Sequence, residues 1–108
     1  MNIGFLSACL PELSFEELVQ WAGKKEFDRV EVACWPFGAP ERRYAGVTHL
    51  DVSDTSSTKI SSIRKILDNN QIEISALGYY PNFLTPEKES RGFLINHLKK
   101  VMSLGGYY

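Results

Sequence analysis

The sequence predicts an α/β fold of three consecutive strand–helix units plus the opening of a fourth strand, the front part of a larger parallel domain. Three observations carry this. Short apolar segments recur at residues 2–7 (NIGFLS), 29–34 (RVEVAC) and 72–77 (IEISAL), and each fits a buried strand. Each is followed by a segment whose apolar residues fall at helical spacing. Strands that alternate with helices imply a parallel sheet with right-handed crossovers.

The elements follow in order. After the first strand, Ser14 and Glu17 have capping-box spacing, and Leu13 and Leu18 occupy the hydrophobic-staple positions. Phe15, Leu18, Val19 and Ala22 then line one helical face, and the helix ends near residues 23–25. The second strand is rich in β-branched residues. Pro36, Gly38 and Pro40 stop it and open a loop that runs to about Asp54. Loops of this length are uncommon in compact domains and often functional. A short strand or turn at residues 47–52 (VTHLDV) fits within it.

The second helix spans roughly residues 57–69, with Ile60, Ile63, Ile66 and Leu67 on its apolar face and N-cap candidates at residues 54–57. Asn69 and Asn70 suit a left-handed helix end. The third strand leads into the loop GYYPNFL. The third helix then begins with Thr85 as N-cap, Pro86 at the first helical position, and Glu87 and Glu89 in the first turn. Leu94, Leu98, Val101 and Met102 mark its buried stripe, and Gly105 or Gly106 ends it. Tyr107 and Tyr108 then read as the start of a fourth strand.

Three units are not expected to stand alone. A parallel sheet needs both faces covered, and its terminal strands expose unpaired backbone groups. In a flavodoxin-like order the first strand lies inside the sheet, and in an eight-stranded barrel three units are less than half the structure. Residues 1–108 are therefore expected to be the N-terminal part of one larger domain, cut at its fourth strand.

Composition narrows the class. The chain has 108 residues, 44% hydrophobic and 23% charged, as in soluble globular proteins. A net charge of -1 leaves no electrostatic footprint for nucleic acid or an anionic membrane. The apolar stretches are too short for a membrane span. The N-terminus lacks a basic region, and Glu12 interrupts its apolar segment too early for a secretory leader. Cys9 and Cys34 form neither a disulfide framework nor a CxxC pair. These features predict a cytoplasmic protein with reduced thiols.

Ligands of parallel α/β folds bind at the C-terminal ends of the strands. The loops there hold Trp35, Phe37, His49, Tyr79, Tyr80 and Asn82. Aromatic faces with a few polar tips suit a sugar or polyol, because rings pack on C–H groups while the tips reach hydroxyls. Each residue also has a plainer reading. Trp35, beside Pro36, fits a packed loop anchor. Cys34 fits a small buried apolar residue better than a nucleophile. His49, near Asp51, fits a metal ligand, a general base or, better, a structural hydrogen bond. Glu31 is the odd residue in an apolar strand and must be paired or used in a site. Arg42 and Arg43 read as solvated charges, with a phosphate partner as the alternative. His97, on the third helix, reads as a surface residue. The sequence contains no GxGxxG after the first strand, and no P-loop, GxSxG, HExxH or CxxC motif.

The stretch NIGFLSACLPELSFEELVQWAGKKEFDRVEVACWP resembles the opening of the sugar phosphate isomerases/epimerases, the xylose isomerase-like TIM barrels. IRKILDNNQIEISALGYYPNFLTPEKE resembles the same family further on, and RRYAGVTHLDV is similar to an insertion found in one subgroup. The resemblance implies a (β/α)8 barrel acting on a small carbohydrate. It also implies a divalent metal (Mn2+, Mg2+, Co2+ or Zn2+) in the intact enzyme and proton transfer next to a sugar carbonyl. The family's metal ligands come mainly from the second half of the barrel, so none is carried over here. No metal and no activity are expected of this segment alone. Trp35, Tyr80 and Asn82 are implied to be substrate-side residues, and Glu31 to be a carboxylate on the inward row of the second strand. His49 stands as a candidate on its own chemistry. Two other readings compete: an apurinic-endonuclease-like phosphodiesterase barrel, which the near-neutral charge disfavours, and a non-catalytic half-barrel that self-associates through its open strand edges.

Overall fold

Helix and strand alternate along the chain as the apolar spacing requires, and the computed structural model describes residues 3–36 and 46–108. β1 (Gly4–Leu6) runs into a 3-10 turn (Ser7–Cys9), followed by α1 (Phe15–Lys24) and β2 (Arg29–Ala33). Then come α2 (Ser57–Asn70), β3 (Glu73–Gly78) and α3 (Lys88–Gly105). The strands form an open parallel sheet in the order β1-β2-β3. This differs from the flavodoxin-like order, in which the first strand lies between the second and third. None of the described helices is long and apolar enough to cross a membrane.

α1 begins where the capping box predicts. The Glu17 N–H donates to Ser14 Oγ, and the Ser14 N–H donates to Glu17 Oε1, both at 3.2 Å. Phe15, Leu18, Val19 and Ala22 are all buried. α2 ends at Gln71, which is left-handed at φ 56°, one residue beyond the expected asparagines. α1 and α2 come close at Gly23, where a Cβ would lie 3.2 Å from the Asn70 carbonyl oxygen, so a larger residue would push the helices apart.

Three boundaries differ from the sequence expectation. β1 is shorter because residues 7–9 wind into the 3-10 turn. α3 starts at Lys88 rather than Pro86, and its N-cap is Glu87, with no side-chain cap bond. The preceding residues are held in a turn, in which the Leu84 N–H donates to Asn82 Oδ1 and the Thr85 N–H to the Asn82 carbonyl. Tyr107 and Tyr108 do not open a strand. Gly106 stays right-handed, the N–H groups of both tyrosines bond back into the end of α3, and the Arg64 guanidinium holds the Tyr107 carbonyl.

Register divides the sheet into two faces. Phe5, Val30 and Ile74 share one face, followed by Val32 and Leu77, and this face packs into the helical core. Val30 and Val32 are fully buried there with Leu18 and Val19. Each such side chain contributes roughly 1.5–3 kcal/mol of hydrophobic stabilisation. The opposite face carries Gly4, Arg29 and Glu73, then Leu6, Glu31 and Ala76, then Ala33 and Gly78. A bulge keeps the faces in phase. Val30 and Glu31 are consecutive in β2 but pair with Ile74 and Ala76, so Ser75 is the extra residue.

Candidate functional site

The three strands are parallel, so their C-terminal ends meet at one edge of the sheet. Three groups of side chains gather there. The first lies on the face away from the core. A Cβ built on Gly78 would sit 3.1 Å from the Tyr80 hydroxyl, 3.2 Å from Tyr80 Cε2 and 3.4 Å from Glu31 Oε1. The Tyr80 ring therefore lies directly over the backbone of Gly78, and the Glu31 carboxylate reaches the same spot. A methyl group at this position would make the Tyr80 ring give way by a few tenths of an ångström. Glu31 is half-buried and Tyr80 is 50% exposed, so a carboxylate and a phenol meet where solvent reaches them.

The second group lies on the core side. Tyr79 is 6% exposed and sits among Trp35, Phe83 and His97, all edge-on, with ring centroids 5.1, 5.9 and 4.6 Å away. Its hydroxyl has no hydrogen-bond partner among the described residues. Burial raises its pKa and so favours the neutral phenol. His97 corrects the sequence reading: it is half-buried rather than on the surface, and its Nε2–H donates to the Cys34 carbonyl at 2.7 Å. The signal was available, since His97 stands three residues after Leu94 and four before Val101, on the buried stripe of α3. Cys34 is fully buried, and burial pushes its thiol up to about 12. It is an inert core residue rather than a nucleophile.

The third group joins the segment after β2 to the end of β1. The Ala33 N–H donates to Ser7 Oγ at 2.8 Å, and Ser7 is fully buried. His49 Nδ1 lies 2.8 Å from the same Oγ, and His49 Nε2 lies 3.2 Å from the Leu10 carbonyl oxygen. A carbonyl only accepts, so Nε2 carries the proton, and neutral Nδ1 accepts from the Ser7 hydroxyl. Burial lowers the His49 pKa, opposed by the Leu10 and Leu13 backbone groups and by the charge of Glu12. Both ring nitrogens are committed, which realises the structural hydrogen bond anticipated for this residue. Backbone bonds add to the tie: the His49 N–H donates to the Ala33 carbonyl and the Trp35 N–H to the Val47 carbonyl, around an antiparallel bridge between Cys34 and Thr48.

Among the predicted site residues, Glu31 and Tyr80 thus come together over Gly78. Trp35 joins the Tyr79 cluster, and His49 is bonded to Ser7 and Leu10. Asn82 is exposed and spends its Oδ1 on its own turn. Phe37, Arg42 and Arg43 lie outside the described residues. Ser7 and Gly78 join these residues, and for both the sequence signal is a small residue at a strand's C-terminal end. No cluster of three or more His, Cys, Asp or Glu that could hold a metal ion exists among the described residues.

No family model matches the chain, and no curated protein or solved structure matches it.

Proposed function

We propose that this chain supplies the first three β/α units of a xylose isomerase-like (β/α)8 barrel acting on a sugar or sugar phosphate. In this reading the face bearing Glu31 and Tyr80 is the inner wall of the pocket. The observation that carries the reading is the convergence of the Glu31 carboxylate and the Tyr80 phenol over Gly78, at the C-terminal ends of parallel strands. The sequential strand order and the sequence resemblance support the same architecture.

The reaction is proton transfer at the carbon next to a sugar carbonyl. Glu31 accepts hydrogen bonds from the sugar's hydroxyls, and Tyr80 offers both a ring face for C–H groups and a hydroxyl that donates or accepts. Together they orient the substrate. Among the described residues no group of three or more His, Cys, Asp or Glu comes together, so no metal ligand is assigned. No step is therefore routed through a metal here.

The test is a titration of the 108-residue chain with a ketohexose and its phosphate, followed by amide shifts. Saturable shifts centred on Glu31, Gly78 and Tyr80, weakened by Glu31→Gln, are the expected outcome. Binding elsewhere, or none at tens of millimolar, sinks the reading. With Mn2+ or Mg2+ present we expect binding without turnover; ketose conversion by these residues would contradict the assignment.

A second reading has its own observation: β1 and β3 each leave an edge of the open sheet unpaired within the described residues. Such edges template pairing between copies. In that case size-exclusion chromatography finds concentration-dependent dimers, whereas a sharp monomer at all concentrations removes this reading.

A further inference from the structure

The Ser7–His49 contact has a donor count that works in one protonation state only. Three polar groups meet at Ser7 Oγ: its own proton, the Ala33 N–H and the His49 Nδ1. With neutral imidazole the count closes. Oγ accepts from Ala33 and donates to Nδ1, while Nε2–H donates to Leu10. Protonation at Nδ1 adds a donor. The Ser7 hydroxyl proton then loses its acceptor inside a site with no solvent exposure.

We propose that Ser7 and His49 form a proton-operated latch between residues 46–50 and the end of β1, closed while the imidazole is neutral and opened by its protonation. The Leu10 and Leu13 backbone groups and the Glu12 carboxylate favour the added charge, but burial outweighs them. The 3-10 turn contributes the Cys9 thiol, which is exposed and donates to the Leu6 carbonyl. The turn after it contributes the exposed carboxylate of Glu12, whose charge acts on the ring from a distance. The end of β2 contributes the Cys34 thiol, which donates to the Val32 carbonyl. The segment's own Asp51 is engaged by the Ser53 N–H. None of these accepts a proton from Ser7.

The sign follows from linkage. The folded state holds His49 below its ordinary value of 6.5, so the unfolded or unlatched chain binds more protons. The stabilising contribution is complete above that ordinary value and is lost as pH falls through the lowered one. The latch ties residues 46–50 to the end of β1 beside Cys34 and Trp35, so its opening frees residues 46–50 at the C-terminal edge of the sheet.

The experiment compares the full chain with His49→Gln, whose side chain accepts from Ser7 and donates to Leu10 but cannot be protonated. Amide exchange of Ala33 and His49, corrected for intrinsic rates, is measured from about pH 7.5 to about pH 5. The expected result is acceleration of at least about tenfold in the wild type and less than about twofold in His49→Gln, which retains His97. Equal acceleration in both, or none in the wild type, overturns the proposal. The imidazole 15N shifts of the wild type give a check that does not depend on the variant folding. An Nδ1–H tautomer at neutral pH would also overturn it.

Discussion

The two faces of one three-stranded sheet carry opposite chemistry. On the core face, Val30 and Val32 are completely excluded from solvent, and apolar partners continue across β1 and β3. On the other face the same strands carry Arg29, Glu31 and Glu73, with glycine, alanine and Leu6 as the other residues. The buried apolar side chains therefore lie on one side, and the charged ones on the other. A strand of five residues, β2, divides between the two with a period of two.

The contrast breaks most easily at Val32. Val32→Asp places an unpaired carboxylate in the core and is expected to cost more than about 4 kcal/mol, leaving the chain unfolded by circular dichroism. Leu18→Ala, in the α1 surface that covers this face, is expected to cost about 2–5 kcal/mol in urea denaturation. Gly78→Ala probes the other face. The new methyl meets the Tyr80 ring at 3.1–3.2 Å, and we expect about 1–2 kcal/mol of destabilisation together with displaced Tyr80 ring resonances. Unmoved ring resonances would show that Tyr80 does not lie over the strand. Arg29→Ala removes an ion pair with Glu73 at 3.8 Å between exposed side chains. Its expected cost is below about 0.5 kcal/mol, in line with other exposed pairs. Glu31→Gln is expected to change stability by no more than that while weakening sugar binding. If it unfolded the chain as Val32→Asp does, the division of labour between the faces would be wrong.

Much of the core face was legible in the sequence. The i, i+3, i+4, i+7 run of α1 and the Ser14–Glu17 capping box are local signals, and both form as written. Signals that depend on a competing local contact failed. Thr85 and Pro86 look like a helix start, yet the Asn82 side chain closes a turn there first, and α3 begins two residues late. Tyr107 and Tyr108 have strand-like side chains, but their backbones bond back into α3. The site was harder to read because it depends on contacts distant in sequence. Ser7 meets His49 across 42 residues, and His97 meets Cys34 across 63, and no spacing rule reports such pairs. Glu31 stood out only as a charge among valines, and its neighbour Gly78 shows its purpose only once the Tyr80 ring lies over it.

The bulge at Ser75 bears on how this strand can vary in length. Without Ser75, β3 would read Glu73, Ile74, Ala76, Leu77, Gly78 against five consecutive residues of β2, each keeping its present partner. Loss of Ile74 would instead put the polar Ser75 in its place on the core face, and loss of Leu77 would put Gly78 there. Tolerance to deletion is thus concentrated at one position. Naturally shortened versions of this segment would be expected to lack Ser75 and to keep every other side chain where it stands.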